Sequence, residues 1–196
     1  RAALRRRLGL PEDAIIALGC GPMELRKGPE LFQLVALETL RRCSQDRLHF
    51  VWVGGGTDTC FDPVFWCQRD AKRCGMEDRM HFIGDVDDTA EAFLGSDLYM
   101  LTSREDPFPC VVHEAMACGL PVVSFESSGG ASIMLADGGG VVVPFGDIEG
   151  MADIVLWWVI GDEDRIEAGA AGRHSVATHY RMSTYVAGLH NMGLQR

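Results

Sequence analysis

The chain alternates short apolar segments with amphipathic ones, and this alternation constrains its fold more than any other feature. The apolar segments are rich in Val, Ile, Phe and Trp, and helical periodicity follows each of them. Such alternation predicts βαβ units, and strands that are apolar throughout predict a parallel sheet covered on both faces. The predicted strands are 14–18, 48–53, 80–83, 98–102, 121–125 and 141–143, and the predicted helices are 29–42, 63–74, 88–95, 110–118, 131–136 and 148–159.

Length and composition agree with one such domain. The 196 residues are 47% hydrophobic and 23% charged, which is typical of a globular protein with a packed core. The sequence has no internal repeat or Pro/Ser-rich linker, and its last part is helical. We therefore expect a single α/β domain over 1–196, with a Rossmann-like parallel sheet of about six strands and helices on both faces. A start at RAALRRR, without an initiator Met, predicts a piece of a longer protein.

Charge and cysteine content argue against several partners. The formal net charge of −10 argues against binding to nucleic acid, which needs a basic surface. No apolar run reaches the roughly 18 residues of a membrane span. Seven cysteines without CxxC spacing predict reduced thiols in a cytoplasmic protein rather than a zinc site. The basic cluster of Arg1, Arg5, Arg6 and Arg7 is either a solvated first helix or a contact with a missing domain or an anionic membrane surface.

The loop after the first predicted strand places two cations ahead of a helix. Gly28 and Pro29 have the character of an N-cap and a first helical residue, so Arg26 and Lys27 precede a helix N-terminus. Cations are unfavourable there unless an anion, most simply a phosphate, lies between them and the helix amides. A pair of solvated loop cations is the alternative. The three glycines after the second strand either let backbone approach a ligand or make a tight strand exit.

The most informative segment reads SREDPFPCVVHEAMACGLPVV. Pro109 at a first helical position leaves the amides of Cys110 and Val111 unpaired at the helix end. Asp106 precedes this end, and Glu114 lies in the second turn near the same face. Two acids and free amides around one helix mouth predict a polar pocket for hydroxyls and phosphate. For Asp106 alone, simple complementation of the helix dipole is the alternative.

Within this segment, an acid followed after seven residues by Glu resembles the signature of retaining glycosyltransferases of family 4. The resemblance extends, in the same order, to RKGPELF, VWVGGG, MHFIGDVDD and GGGVVVPFGD. It implies the C-terminal, sugar-nucleotide-binding domain of a GT-B enzyme, with the N-terminal acceptor domain absent from this chain. The implied reaction moves a sugar from a nucleoside diphosphate sugar, such as a UDP- or GDP-sugar, to an acceptor hydroxyl with retention of anomeric configuration.

The resemblance also implies roles for single residues. Lys27 would bind the donor diphosphate, Glu114 would hold the ribose hydroxyls, and Asp106, where the family usually has Glu, would contact the transferred sugar. The amides of Cys110 and Val111 would hold phosphate. The implied nucleotide-sugar-binding residues are Gly21, Arg26, Lys27, Gly55, Ile83, Gly84, Asp106, Pro107, Phe108, Pro109, Cys110, Val111 and Glu114.

Two departures from the family pattern, at Pro22 and Pro109, bear on these implied roles. Pro22 stands where the family often has an Arg five residues before the Lys, and Arg26 is the substitute that completes the implied catalytic set of Lys27, Asp106, Glu114 and Arg26. Pro109 replaces a common Gly and so removes one donor amide. Backbone near Ile83 and Gly84 would border the base.

The resemblance implies neither a cofactor nor a metal, because cations and helix amides would stabilise the diphosphate leaving group. The implied partners are the donor and an acceptor glycan, lipid or small molecule, which the missing domain would bind. The implied location is the cytoplasm, with peripheral contact to the inner membrane face as an option. The isolated chain is expected to transfer no sugar. Two alternatives remain open, a non-catalytic nucleotide-binding domain of the same fold and a sugar-nucleotide epimerase or phosphorylase-like domain.

Overall fold

A computed structural model describes residues 2–43, 46–56, 63–181, 183, 186–187 and 190, so Cys60 lies outside the described residues. The strands are β1 (Ile15–Cys20), β2 (Leu48–Val53), β3 (Met80–Gly84), β4 (Leu98–Leu101), β5 (Val122–Phe125) and β6 (Gly140–Val143). The helices are α1 (Ala2–Leu8), α2 (Pro29–Arg42), α3 (Pro63–Arg73), α4 (Ala90–Gly95), α5 (Cys110–Ala117), α6 (Ala131–Met134), α7 (Ile148–Ile160) and α8 (Asp162–His179).

The strands form one parallel sheet in the order β3-β2-β1-β4-β5-β6. This is the strand order of a doubly wound Rossmann-like fold, so the predicted α/β fold is confirmed. The order reverses at the boundary between β1 and β4. The loops that follow these two strands therefore lead to opposite sides and leave a crevice between them.

Both faces of the sheet are buried, which explains why the strands are apolar throughout. Ile15 and Ala17 of β1 point into a core that α2, α3 and α7 cover. Ile16 and Leu18 point to the other face and pack against α1, α4, α5 and α6. Successive residues of a strand alternate between faces, so a strand with helices on both sides cannot carry a polar stripe.

Helix α5 begins at Cys110, as the predicted range 110–118 does, but Pro109 does not have the position in it that was predicted. Pro109 is the N-cap of α5, with extended backbone at φ −71° and ψ 95°, and Cys110 is the first helical residue. The carbonyl oxygen of Pro109 accepts a hydrogen bond from the amide of Val112 at 2.9 Å. The prediction of Pro109 as a first helical residue was therefore wrong, although the amides of Cys110 and Val111 still open the helix.

The basic cluster near the start of the chain is solvated only in part. Arg6 and Arg7 are exposed, but Arg5 is only 4% exposed. Its guanidinium donates to the carbonyl oxygens of Ala14 and Gly95 and to Asp97 Oδ2 at 2.6 Å. Arg5 thereby joins α1 to the starts of β1 and β4, and a solvated role for it was wrong.

We predict that Arg5→Ala lowers the free energy of unfolding by about 3–5 kcal/mol, because it leaves the buried Asp97 carboxylate without its cation. Urea denaturation followed by circular dichroism measures this change. Arg6→Ala, at the exposed neighbouring position, is the control and is expected to have little effect. Equal effects of the two substitutions would contradict a structural role for the buried ion pair.

Candidate active site

The fold brings the predicted site residues to one edge of the sheet, the edge at which the strands end. Gly21 follows β1, Gly55 follows β2, and Ile83 and Gly84 close β3. The remaining residues lie in the loop between β1 and α2 (Arg26, Lys27), in the loop between β4 and α5 (Asp106, Pro107, Phe108, Pro109) and in α5 (Cys110, Val111, Glu114). Open parallel sheets bind their ligands at this edge.

An ion pair between Lys27 and Asp106 spans the crevice. Lys27 Nζ lies 2.6 Å from Asp106 Oδ2, and the two side chains are only 14% and 10% exposed. The pair joins the loop after β1 to the loop after β4, which are 79 positions apart in sequence. Sequence reasoning gave these two residues separate ligand groups and did not foresee their contact.

The backbone around Lys27 is held closely against the end of β4. Gly28 has a left-handed conformation, with φ 67°, and a Cβ at this position would overlap the carbonyl oxygen of Thr102. The hydroxyl of the buried Thr102 donates to the carbonyl oxygen of Gly28 at 2.9 Å. The methylene chain of Lys27 lies against Gly21. These contacts fix the backbone from which the side chain of Lys27 reaches Asp106.

The loop that carries Asp106 is anchored on the segment after β5. The amide of Asp106 donates to the carbonyl oxygen of Ser128 at 2.6 Å. The amide of Gly130 donates to the carbonyl oxygen of Pro107 at 3.1 Å. Phe108 remains exposed, with its ring 5.1 Å from that of His113. This loop is thus fixed at Asp106 and Pro107 and presents an aromatic side chain to solvent.

Glu114 lies at the same mouth but has no cationic partner among the described residues. Although the residue as a whole is exposed, partial burial of its carboxyl group raises its pKa. Its charge also acts on Cys20, whose pKa is raised to about 11, first by burial and second by Glu114. A carboxyl group without a cationic partner at such a position is available to a ligand that donates hydrogen bonds.

The loops after β2 and β3 pack together beside Gly21. The amide of Gly54 donates to the carbonyl oxygen of Gly84 at 2.9 Å. The amide of Gly55 donates to Asp85 Oδ1 at 2.8 Å, and its carbonyl oxygen accepts from the amide of Met23 at 2.9 Å. The structure therefore joins the Gly55 and Gly84 backbones to the loop that leads to Lys27, while Ile83 stays within β3.

Arg26 stands apart from the ion pair. Its guanidinium donates to the carbonyl oxygen of Glu105 at 3.1 Å and lies 3.6 Å from the carboxylate of Glu24. The side chain is 44% exposed. Its assignment to the diphosphate, like the assigned roles of the other site residues, stays a prediction.

Tyr99, which contacts the end of β1 beneath the site, was not identified from the sequence. The hydroxyl of the buried Tyr99 donates to the carbonyl oxygen of Cys20 at 3.3 Å. Burial raises the pKa of Tyr99 well above its ordinary value, and Cys20, Asp106 and Glu114 add to this shift. Tyr99 gave no signal in the sequence, because it resembles any other core aromatic.

Away from this mouth, the described residues form clefts but no metal-binding group and no membrane-spanning helix. Two clefts of about 580 and 420 Å³ open at the starts of the strands, and no predicted site residue lines them. Within the described part of the chain, no group of three His, Cys, Asp or Glu side chains could hold a metal ion. Over the same residues, no helix has the length and apolar character that crossing a bilayer requires.

Comparisons with known sequences agree with this geometry. Residues 1–175 match the family model described as Glycosyl transferases group 1. A D-inositol 3-phosphate glycosyltransferase of Xylanimonas cellulosilytica is 33% identical over 184 residues, which are 92% of this chain and 42% of that protein. An N-acetyl-alpha-D-glucosaminyl L-malate synthase of Bacillus anthracis is 32% identical over 116 residues, which are 59% of this chain and 30% of that protein. The chain thus spans less than half the length of these relatives.

Solved structures share the fold. HepE of Anabaena in complex with UDP superposes with a TM-score of 0.87 at 22% identity, over 100% of this chain and 52% of that chain. The C-terminal domain of LpcC, a glycosyl transferase group 1 family protein of Francisella tularensis, superposes with a TM-score of 0.79 at 21% identity, over 93% of each chain. At these identities the likeness shows the fold alone.

We predict that Glu114→Gln stabilises the domain at pH 7. Burial raises the pKa of this carboxyl above its ordinary value of 4.5, so the folded state binds the proton more tightly than the unfolded state does. The parent therefore loses stability as the pH rises from about 4.5 through the folded pKa, and the amide avoids this loss. Urea denaturation at about pH 4 and pH 7 is expected to show a gain only at pH 7.

Glu167→Gln is the matched control, because Glu167 is an exposed acid in the middle of α8. It is expected to change stability little at either pH. A gain for Glu114→Gln that is the same at both pH values would contradict the electrostatic origin of the effect.

Proposed function

Because the chain belongs to the glycosyl transferases group 1 family, we propose that it is the donor-binding domain of a retaining glycosyltransferase of family 4. In this role it binds a nucleoside diphosphate sugar. The sugar passes to an acceptor hydroxyl with retention of anomeric configuration. A second domain, outside this chain, binds the acceptor and closes the site.

The observation that carries the proposal is the contact between Lys27 and Asp106 at the mouth of α5. A diphosphate requires a cation and amide donors, and a sugar requires a hydrogen-bond acceptor such as a carboxylate. Both kinds of group lie here within 2.6 Å of each other. The amides of Cys110 and Val111 begin the helix at the same mouth. Glu114 is the second acid of the family 4 signature, and it completes the set as the acceptor for ribose hydroxyls.

The proposed chemistry is electrostatic. When the bond between sugar and diphosphate breaks, negative charge develops on the leaving diphosphate. Lys27 and the helix amides stabilise that charge, with Arg26 as a further cation. The proposed reaction uses no bound metal. Asp106 aligns the sugar, since transfer depends on the position of the reacting carbon. Product analysis by NMR, on the full-length protein with and without EDTA, tests both retention and independence from metal.

The relatives suggest where to begin with substrates. HepE has been solved with UDP, which makes UDP the first nucleotide to test here. Two curated relatives are named for D-inositol 3-phosphate and L-malate, which makes small hydroxylated anions the first acceptors to test. A glycan or lipid acceptor is the next choice, and a lipid acceptor would bring the full-length protein to the inner membrane face.

We predict that the domain binds UDP and that Lys27→Ala weakens this binding about 10- to 100-fold. The expected loss follows from a charge-assisted phosphate contact of about 1.5–3 kcal/mol. Binding of uridine, which has no phosphate, is expected to stay unchanged. Isothermal titration calorimetry with UDP, GDP and uridine measures these affinities.

Lys72→Ala, which removes an exposed cation of α3 far from the mouth, is the control. It corrects for the change in net charge. If Lys27→Ala weakens uridine and UDP equally, Lys27 does not face phosphate. If no nucleoside diphosphate binds to the parent domain, the donor-binding function itself is wrong.

The ion pair changes what is expected of Asp106. If Asp106 served the sugar alone, Asp106→Asn would leave bare UDP binding unchanged. Because Asp106 holds Lys27 in the free domain, we predict that Asp106→Asn strengthens UDP binding several-fold (about 1 kcal/mol), since the phosphates no longer compete with a largely shielded carboxylate for Lys27. In the full-length enzyme the same variant is expected to lower turnover.

Glu105→Gln is the matched control for Asp106→Asn, since it removes one negative charge from the exposed neighbouring residue. Calorimetry on both variants separates release of Lys27 from a general change in charge. Equal gains for the two would assign the effect to charge alone, and weaker UDP binding by Asp106→Asn would contradict competition for Lys27.

A further inference from the structure

One side chain, Arg104, clamps the Lys27 loop from across the crevice. Arg104 lies in the loop after β4, two residues before Asp106. Its Nη1 donates to the carbonyl oxygen of Leu25 at 2.7 Å. Its backbone amide donates to the carbonyl oxygen of Arg26 at 2.8 Å. The two residues just before Lys27 are thus both bonded to Arg104.

Glu30 keeps the guanidinium of Arg104 in this position. Glu30 lies in the first turn of α2, and its carboxylate forms an ion pair with Arg104. Both carboxylate oxygens of Glu30 are shielded from solvent, and Arg104 is their one cation among the described residues. A shielded carboxylate without a cation is costly, so Glu30 and the carbonyl of Leu25 together fix the guanidinium.

This arrangement controls how Lys27 meets Asp106. Lys27 has a long, flexible side chain, and ordering it costs conformational entropy. With Leu25 and Arg26 bonded to the loop that carries Asp106, the backbone on both sides of the ion pair is fixed before any ligand binds. An arginine suits this role because its rigid, planar guanidinium holds Nη1 against both the carbonyl oxygen of Leu25 and the carboxylate of Glu30, whereas a lysine ammonium on a flexible stem is held less firmly.

We propose that Arg104 is a positioning residue for the donor diphosphate, which holds the Lys27 loop so that the Lys27 ammonium faces the phosphates. This inference rests on the proposed function and adds a residue to it. Arg104 acts through Lys27, because its Nη1 contacts Leu25 and Glu30 and its backbone amide contacts Arg26, the residue before Lys27.

The test is a double-mutant cycle with Lys27. Arg104→Ala is expected to weaken UDP binding three- to tenfold and to leave uridine binding unchanged. In the Lys27→Ala background, Arg104→Ala is expected to have no further effect on UDP, because the group that it positions is gone. Arg104→Lys, which keeps the charge but loses the fork, is expected to behave like Arg104→Ala. Glu30→Gln, which releases the guanidinium, is expected to weaken UDP binding in the same way.

Arg42→Ala is the matched control. The Arg42 side chain is 39% exposed and that of Arg104 is 40% exposed, and each forms an ion pair with a carboxylate. Arg42 lies at the end of α2 against Asp153 of α7, away from the mouth, and its removal is expected to leave UDP binding unchanged. Thermal unfolding of each variant confirms that the domain is folded.

Four outcomes would overturn the inference. Additive losses in the cycle would mean that Arg104 binds phosphate itself. Full UDP affinity in Arg104→Lys would mean that charge alone is needed. Equal losses for UDP and uridine would mean a general effect on folding. Unchanged UDP binding in Arg104→Ala would remove the role while leaving the proposed function intact, whereas a parent domain that binds no nucleoside diphosphate would overturn both.

Discussion

The candidate site depends on the reversal of strand order between β1 and β4. Loops that leave neighbouring strands in opposite directions cannot pack on each other along their whole length, so their polar side chains meet only at the sheet edge. Lys27 and Asp106 meet there at 2.6 Å. Further contacts between the two loops, including those of Thr102 and Arg104, keep the loops at the separation that this ion pair requires.

Two polar side chains of α5 at the mouth, Glu114 and His113, lower the stability of the folded domain rather than raise it. Glu114 has a raised pKa from partial burial and no cation near it among the described residues. At the preceding position of α5, Nε2 of His113 is shielded from solvent and has no hydrogen-bond partner among the described residues, and burial lowers the pKa of this imidazole. By contrast, the buried Arg5 and Asp97 at the opposite edge satisfy each other. Strained electrostatics at one edge and satisfied electrostatics at the other are typical of a fold that reserves one edge for a ligand.

What the sequence could predict follows from the range of each interaction. Strands, helices and the Gly28 turn depend on neighbouring residues, and their positions were predicted to within a few residues. The α5 mouth was also predictable, because its acid–Glu spacing lies within one short segment. The Lys27–Asp106 contact and the burial of Arg5 were not predictable. Each joins residues about 80 to 90 positions apart, and the three arginines of α1 look alike in sequence until the sheet buries one of them.

The two acids of the mouth differ in what they must give up to bind a donor. Glu114 has no cationic partner to release within the described residues, so under the proposed function a ribose reaches it without displacing a cation. Asp106 must release Lys27. Under the proposed function a whole sugar nucleotide meets this cost by an exchange of partners: its diphosphate replaces Asp106 beside Lys27, and its sugar hydroxyls replace Lys27 beside Asp106. A bare nucleoside diphosphate completes only half of this exchange and leaves the buried Asp106 carboxylate without a cation. The same ion pair that orders the empty site would therefore favour the intact donor over the spent nucleotide, and so help product to leave.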